Sequence, residues 1–192
     1  MISVRSIFTT TVALLAAPIL AQVTAGTIKS DLEVLKTKSQ KLQATAQQFN
    51  IINAPLLMIG QGPWAQFMTG YQDFVQTTTT YIPKQQGAAQ IPAGAGATEV
   101  TKAYTEFAKA HTQLLNILIE KARFVTSVPF VGPPVAANLR GGEGAVDAYS
   151  NSLVNLLPAS ADTEILAALK PLAEAFDKAI KAYAGNLGEP SF

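Results

Sequence analysis

The chain of 192 residues has no cysteine, one histidine and one tryptophan, and only 14% of it is charged. Without cysteine there is no disulfide framework, and no thiolate for catalysis or metal binding. The single imidazole, His111, has no second histidine or thiol to complete a zinc centre of three or four ligands. No G-x-S-x-G turn occurs, so a nucleophilic triad lacks its members. Arg140, Glu143 and Asp147 share one helix face at i, i+3 and i+7, a spacing that reads as surface ion pairing rather than acid–base chemistry. The residue types of catalysis are scarce, and the expectation is a protein that is not an enzyme, with no metal or cofactor.

An excess of either charge is missing too. The first residues carry Arg5, then an apolar run from Ile7 to Leu20, then small residues around Ala21 and at Val23-Thr24-Ala25. This is the layout of a secretory signal peptide, with cleavage expected after Ala21 and, as second choice, after Ala25. The run is shorter than the roughly 20 residues of a membrane-spanning helix, so no transmembrane segment is expected. Losing Arg5 from the 14 basic residues leaves them equal in number to the 13 acidic ones. A neutral chain with no basic run excludes nucleic acid and anionic membrane surfaces as partners. Asn151-Ser152-Leu153 fails as a glycosylation sequon, and residues 184–192 carry neither the tail of a lipid-anchor signal nor a Ser/Thr-rich stalk. The expectation is a signal segment over 1–21 and one extracellular domain over 22–192, held together by helix packing alone.

What is present is apolar residues at helical spacing. The first segment, about Thr27 to Asn50, places Ile28, Leu32, Leu35, Ser39, Leu42, Ala46 and Phe49 at steps of four and three, with a capping box from Ser30 to Glu33. The second opens at Gly62-Pro63, where proline suits a first turn. It carries Trp64, Phe67, Met68, Tyr71, Phe74, Val75 and Ile82, is weakened by Thr77 to Thr80, and closes at Pro83. Lys84 to Ala97 has no stable period and reads as a mobile loop, either a plain connector or a lid. A third helix runs from Thr98 to about Ser127, a fourth from Val135 to Leu157, and a fifth from near Ser160 to Gly185 with Pro171 inside it as a kink or split. Gly141, Gly142 and Gly144 in the fourth suggest a close crossing or room for something else. The fold expected is all-α, an antiparallel bundle of about five amphipathic helices.

Leu114, Leu115, Ile117, Leu118 and Ile119 make the third helix apolar nearly all round, with Asn116 the wet edge, which marks it as the central helix. Its surroundings are either an apolar central cavity or an ordinary packed core, since both need the same residues. Stripe positions nominate Trp64, Phe67, Tyr71, Phe107, Leu114, Leu118 and Val146 as ligand-lining side chains. Tyr104, His111 or Tyr149 would serve a polar head group, although His111, on the apolar stripe of its helix, reads first as a buried, hydrogen-bonded histidine.

The run from His111 to Ala122, then Pro129-Phe130-Val131-Gly132, Pro134 to Ala137, Leu139-Arg140, Val146-Asp147, Leu156-Leu157-Pro158 and Ala179 to Tyr183 resembles the hydrophobic surface-binding protein A family of fungi, which includes cell-wall galactomannoproteins. The resemblance is strongest from residue 98 onward. It implies a secreted bundle of about five helices that holds a fatty acid or other apolar small molecule, or adsorbs to hydrophobic surfaces and recruits a secreted esterase. Its alternative implication is a structural or antigenic cell-wall mannoprotein with a packed core. The Ser/Thr-rich tail of wall-attached members is missing here, which sets cell-wall association apart from the rest.

Overall fold

The computed structural model describes residues 23–86, 88–126 and 131–184; the expected signal segment, the cleavage position at Ala21 and the break at Val128 to Phe130 lie outside them. Five helices follow one another: α1 (Ala25–Gln47), α2 (Gly62–Gln86), α3 (Ala95–Thr126), α4 (Gly132–Leu156) and α5 (Ala159–Ala184), with a short 3-10 turn over Ala54–Ile59. Among the described residues there is no strand.

Every position of the α1 stripe is buried, from Ile28 to Ala46 and on to Phe49 beyond the helix end. The helix starts earlier than its expected capping box. Thr24 stands in extended backbone and its Oγ1 accepts the Thr27 N–H at 3.2 Å, so Ser30 and Glu33 fall inside the helix. Gly60 and Gly62, at φ of +69° and +77°, turn the chain from the 3-10 turn into α2, a conformation other residues rarely adopt. The threonine run stays helical, with the hydroxyls of Thr77, Thr78, Thr79 and Thr80 each donating to the carbonyl four residues back. Pro83 does not close α2. Its missing N–H removes only one bond in the last turn, and the helix continues to Gln86. The connection to α3 is therefore residues 87–94, shorter than expected, and Ile91 ties it down: its side chain is buried and its N–H donates to the Leu156 carbonyl at 2.8 Å. Pro171 likewise leaves α5 in one piece.

Contacting pairs give the helix directions. Lys29–Glu99 and Lys36–Glu106 advance together, so α1 and α3 are parallel. Lys38–Asp73 and Phe49–Trp64 run in opposite senses, so α1 and α2 are antiparallel. Asn138 touches Met68 and Gly142 touches Tyr71, which makes α2 and α4 parallel. His111–Phe176 and Leu118–Tyr183 do the same for α3 and α5. Gly132 opens α4 against Tyr183 near the end of α5, an antiparallel pair. Consecutive helices thus alternate up and down as expected, while several spatial neighbours run parallel.

The packing closes on itself. α1 lies against α2 and α3, α3 against α5, α5 against α4, and α4 against α2, whereas α3 and α4 barely touch. No helix is central. This corrects the placement of α3 in the middle: Gln113, Asn116 and Glu120 are exposed, and Ile117 and Ile119 only half-buried, because each member of a ring keeps an outer face. At interaxial distances of about 8–10 Å, a regular five-membered ring sets each helix axis ~7–8.5 Å from the common axis. With backbone radii of about 2.3 Å, the middle is too wide for leucine and alanine alone to fill. It is filled by rings: the ten largest fully buried side chains are Trp64, Tyr71, Tyr104, Tyr149, Tyr183, Phe49, Phe67, Phe74, Phe107 and Phe176.

Replacing Phe176 with alanine is expected to lower unfolding stability by about 3–5 kcal/mol, the usual cost of deleting a buried aromatic. Leu166→Ala on the same helix, where the side chain is 54% exposed, should stay within about 0.5 kcal/mol. Urea unfolding of the two variants measures the difference.

Candidate functional site

The inner face of α3 presents Tyr104, Phe107, His111, Leu114 and Leu118 at steps of three and four, which keeps them in one row along the helix. α2 contributes Trp64, Phe67 and Tyr71, and α4 contributes Val146 and Tyr149. All ten expected lining residues are at most 1% exposed, in the shared interior of the ring. The aromatic members form a column. Phe49 stacks on Trp64 with ring centroids 3.5 Å apart and meets Phe67 edge-on. Phe67 leads to Tyr71 at 5.5 Å, and His111 sits between Tyr71 at 6.0 Å, Phe74 at 4.6 Å and Phe176 at 5.2 Å. Phe107 and Tyr104 continue it. Phe49, Phe74, Phe176 and Tyr183 belong to this interior although sequence reasoning did not nominate them as lining; each occupied its own apolar stripe, which was the available signal.

Polar atoms inside the column fall into two groups. In the first, a buried helical serine serves an α3 ring. Ser39 Oγ donates to the Leu35 carbonyl at 2.9 Å and lies 2.9 Å from His111 Nδ1. Ser150 Oγ donates to the Val146 carbonyl at 2.7 Å and accepts from the Tyr104 hydroxyl at 2.7 Å. Tyr183 donates its hydroxyl to the Leu118 carbonyl at 2.8 Å. In the second group, Trp64 Nε1, the Tyr71 hydroxyl and His111 Nε2 are buried with no hydrogen-bond partner. The Tyr149 hydroxyl and both amide atoms of Gln85 are likewise buried with no hydrogen bond formed. Among the described residues no lysine or arginine is buried; the buried polar ones are Ser39, Thr78, Gln85, Thr101, His111 and Ser150.

Burial dominates the proton affinities. It lowers the His111 pKa from 6.5 to about 3, so the imidazole is neutral. Burial raises the Tyr71 phenol, with the Glu143 carboxylate adding to the effect. Tyr104 is pushed up to about 12 by burial first, with the Ser150 bond opposing and Asp147 reinforcing it. Glu143 itself is raised by burial, then by Asp147 and Asp177, with Arg140 opposing. The expected ion-pair cluster does not form: among the described residues no close salt bridge joins Arg140 to either carboxylate.

Of the three glycines in the middle of α4, Gly141, Gly142 and Gly144, only Gly142 makes a close crossing. A Cβ there would fall 2.1 Å from the Tyr71 hydroxyl, while Gly141 and Gly144 face open space. The larger open grooves lie outside the ring. One of about 500 Å³ runs between α3 and α5 beside Ala108, Lys109, Glu164 and Pro171, and another of about 450 Å³ lies beside Val23 to Ala25 and residues 89–96. Neither is lined by any of the ten expected residues. Among the described residues no group of three His, Cys, Asp or Glu side chains could hold a metal ion, and no helix is long and apolar enough to cross a membrane.

No protein-family model matches the chain, and no curated protein matches its sequence. Solved structures do share the fold. AFMP4p in complex with palmitic acid is 23% identical with a TM-score of 0.73, over 83% of this chain and 99% of that one. Ligand binding domain 2 of Penicillium marneffei MP1 protein, complexed with multiple arachidonic acids, is 17% identical with a TM-score of 0.67, over 83% of this chain and 94% of that one. Ligand binding domain 1 of the same protein, complexed with arachidonic acids, is 15% identical with a TM-score of 0.70, over 81% and 95%.

Two outcomes follow from this geometry. Gly142→Ala should destabilise despite alanine's better helix propensity, because Tyr71 has to move, whereas Gly144→Ala should stabilise by about 0.5–1 kcal/mol; thermal unfolding of both variants checks the contrast. His111 has a folded pKa far below its unfolded one, so the unfolded chain binds the extra proton. Stability is then full above about pH 6.5 and falls toward pH 3 by up to about 1.4 kcal/mol per unit. Urea midpoints at pH 7 and 5 should show this slope in the wild type and lose it in His111→Phe.

Proposed function

We propose that this chain is a non-enzymatic, exported carrier that takes a fatty acid or similar apolar chain into the interior of its helix ring. The observation that carries the reading is the set of unpartnered polar atoms on Trp64, Tyr71 and His111, buried within an otherwise apolar column. Buried polar groups in proteins are as a rule hydrogen-bonded, and a small polar head on an apolar chain meets both demands of this interior. The three fold relatives, each solved with a long-chain fatty acid, support the same reading. Together with the residue pattern that resembles the hydrophobic surface-binding protein A and galactomannoprotein group, they favour a place for this chain beside those proteins. Cleavage after Ala21 suits the exported form, since cleavage after Ala25 would remove the Thr24 cap of α1.

The energetics permit it. A palmitate-sized tail gains on the order of 10 kcal/mol on leaving water, at about 0.8 per methylene. After the costs of ordering and association, about 0.3 kcal/mol per heavy atom gives micromolar to sub-micromolar affinity. On this reading the rings that fill the column have to move aside to admit the chain.

One observation favours adsorption as a second activity. At the turn between α1 and α2, Ile51, Ile52 and Ile59 are 59%, 85% and 64% exposed, and no charged residue occurs between Lys41 and Asp73. The turn is locked rather than loose: Asn50 Oδ1 accepts from the Ile52 and Asn53 N–H groups, and Asn53 Oδ1 accepts from Asn50 N–H. A fixed, uncharged, apolar tip of this kind suits contact with a wax or lipid surface.

Native mass spectrometry of the secreted protein, before and after organic extraction and after adding palmitic acid, tests the first reading. Bound fatty acid in the first or last sample is expected; a chain that never carries or takes up one is a packed structural protein instead. For the second, Ile52→Lys with Ile59→Lys should reduce retention on polystyrene at high salt several-fold. Unchanged retention removes the tip from the account.

A further inference from the structure

The interior described above also constrains the head group of what it binds, on the reading that it takes up an apolar chain. His111 has two ring nitrogens in different situations. Ser39 Oγ has a single hydrogen and lies within 2.9 Å of both the Leu35 carbonyl and His111 Nδ1. If Nδ1 carries the imidazole hydrogen, it donates to Ser39 Oγ, which donates onward to Leu35, and both hydrogens are used. The opposite tautomer would bury an Nε2–H with no acceptor, which folded proteins largely avoid. Nε2 is therefore a bare lone pair, 0% exposed in its residue and without a donor.

The groups packed around this imidazole supply no positive charge. α1 brings Ser39, α2 brings Tyr71 and Phe74, α3 brings Phe107, and α5 brings Phe176. Tyr71 is the titratable one, and it stays protonated. On α4 the charge that reaches Tyr71 is the Glu143 carboxylate, which is negative. A carboxylate anion brought here would lose its hydration, find no cation and face an acceptor lone pair. The unpartnered Tyr71 hydroxyl is a donor to it, but one neutral donor does not replace the hydration shell the anion gives up.

We infer that the interior selects a neutral, hydroxyl-ended chain, an undissociated carboxylic acid or an alcohol, whose O–H donates to His111 Nε2, and that it rejects the carboxylate form of the same acid. The alkyl chain lies along the aromatic column and the hydroxyl ends at the imidazole. The protein thus binds the acid and the alcohol by one chemistry and separates both from esters, which have no hydrogen to donate.

The test uses the whole protein with dodecanoic acid, dodecanol and methyl dodecanoate below their aggregation limits, followed by the fluorescence of the sole tryptophan, Trp64, at pH 6 and pH 8. Carboxylic acids ionise near pH 4–5, so the undissociated fraction falls about tenfold per pH unit above that range. The apparent affinity for the acid should therefore be about a hundredfold weaker at pH 8 than at pH 6. Dodecanol should bind equally at both and about three- to tenfold more tightly than the methyl ester, the share of one hydrogen bond. Because the chain has one histidine, nitrogen-15 labelling of histidine gives a single pair of ring signals. They should report an unprotonated Nε2 that shifts on adding dodecanol and not on adding the ester. An acid that binds as tightly at pH 8 as at pH 6, an ester that matches the alcohol, or a protonated Nε2 in the free protein each overturns the inference while leaving the carrier reading intact. Failure of all three ligands to bind overturns both.

Discussion

Five helices arranged in a ring cannot meet at a point, and the middle they leave has to be filled. That constraint explains the rest of the interior. Leu32, Leu35, Leu139 and Leu153 are fully buried as well, but the axis demands longer and broader groups than aliphatic side chains. Aromatic rings have the reach and stack on one another, so the axis becomes a column from Phe49 and Trp64 through His111 to Tyr104. Tyrosine, tryptophan and histidine carry polar atoms, however, and filling the axis with them brings hydrogen-bonding groups where water does not reach.

The fold deals with those groups unevenly. Two serines on opposite sides of the ring, Ser39 on α1 and Ser150 on α4, have their own hydroxyl hydrogens absorbed by the preceding helical turn and so offer an oxygen to an α3 ring. Toward the middle no such serine stands beside Tyr71, and Gly142 opposite it has no side chain at all. The same close approach that admits the Tyr71 ring therefore denies its hydroxyl a partner from α4. For the two tyrosines that face α4, Tyr104 is satisfied and Tyr71 orphaned because one meets Ser150 and the other Gly142.

Much of this was legible in the sequence. The α1 stripe was readable in full because Ile28 to Phe49 obey one period without interruption, and His111 was readable as buried because it shares a stripe with Tyr104 and Leu118. A stripe tells which face is covered but not by what. For that reason the five neighbours closing into a ring, with α3 as one member rather than its centre, could not be read from periodicity. Ser39 was visible as a stripe position, yet its pairing with a histidine 72 residues away arises only when α1 and α3 lie parallel. Pro83 does not mark the end of α2 because proline in a final turn removes one hydrogen bond and not the turn itself. Gly141, Gly142 and Gly144 look alike in sequence, and only the tyrosine lying against the second tells them apart.

The order of helices around the ring also bears on how the chain assembles. Only α1–α2 and α4–α5 are neighbours both in sequence and in space, and each pair can form as a helical hairpin from local contacts. α3, encoded between them, finds its partners in the first helix and the last. During synthesis the ring's final seam waits for α5 to emerge, and until then α3 lacks one of its two flanking helices. High separation between contacting segments slows folding relative to simple up-and-down bundles of the same size. The topology thus leaves the closing of the ring to the docking of α5 between α3 and α4.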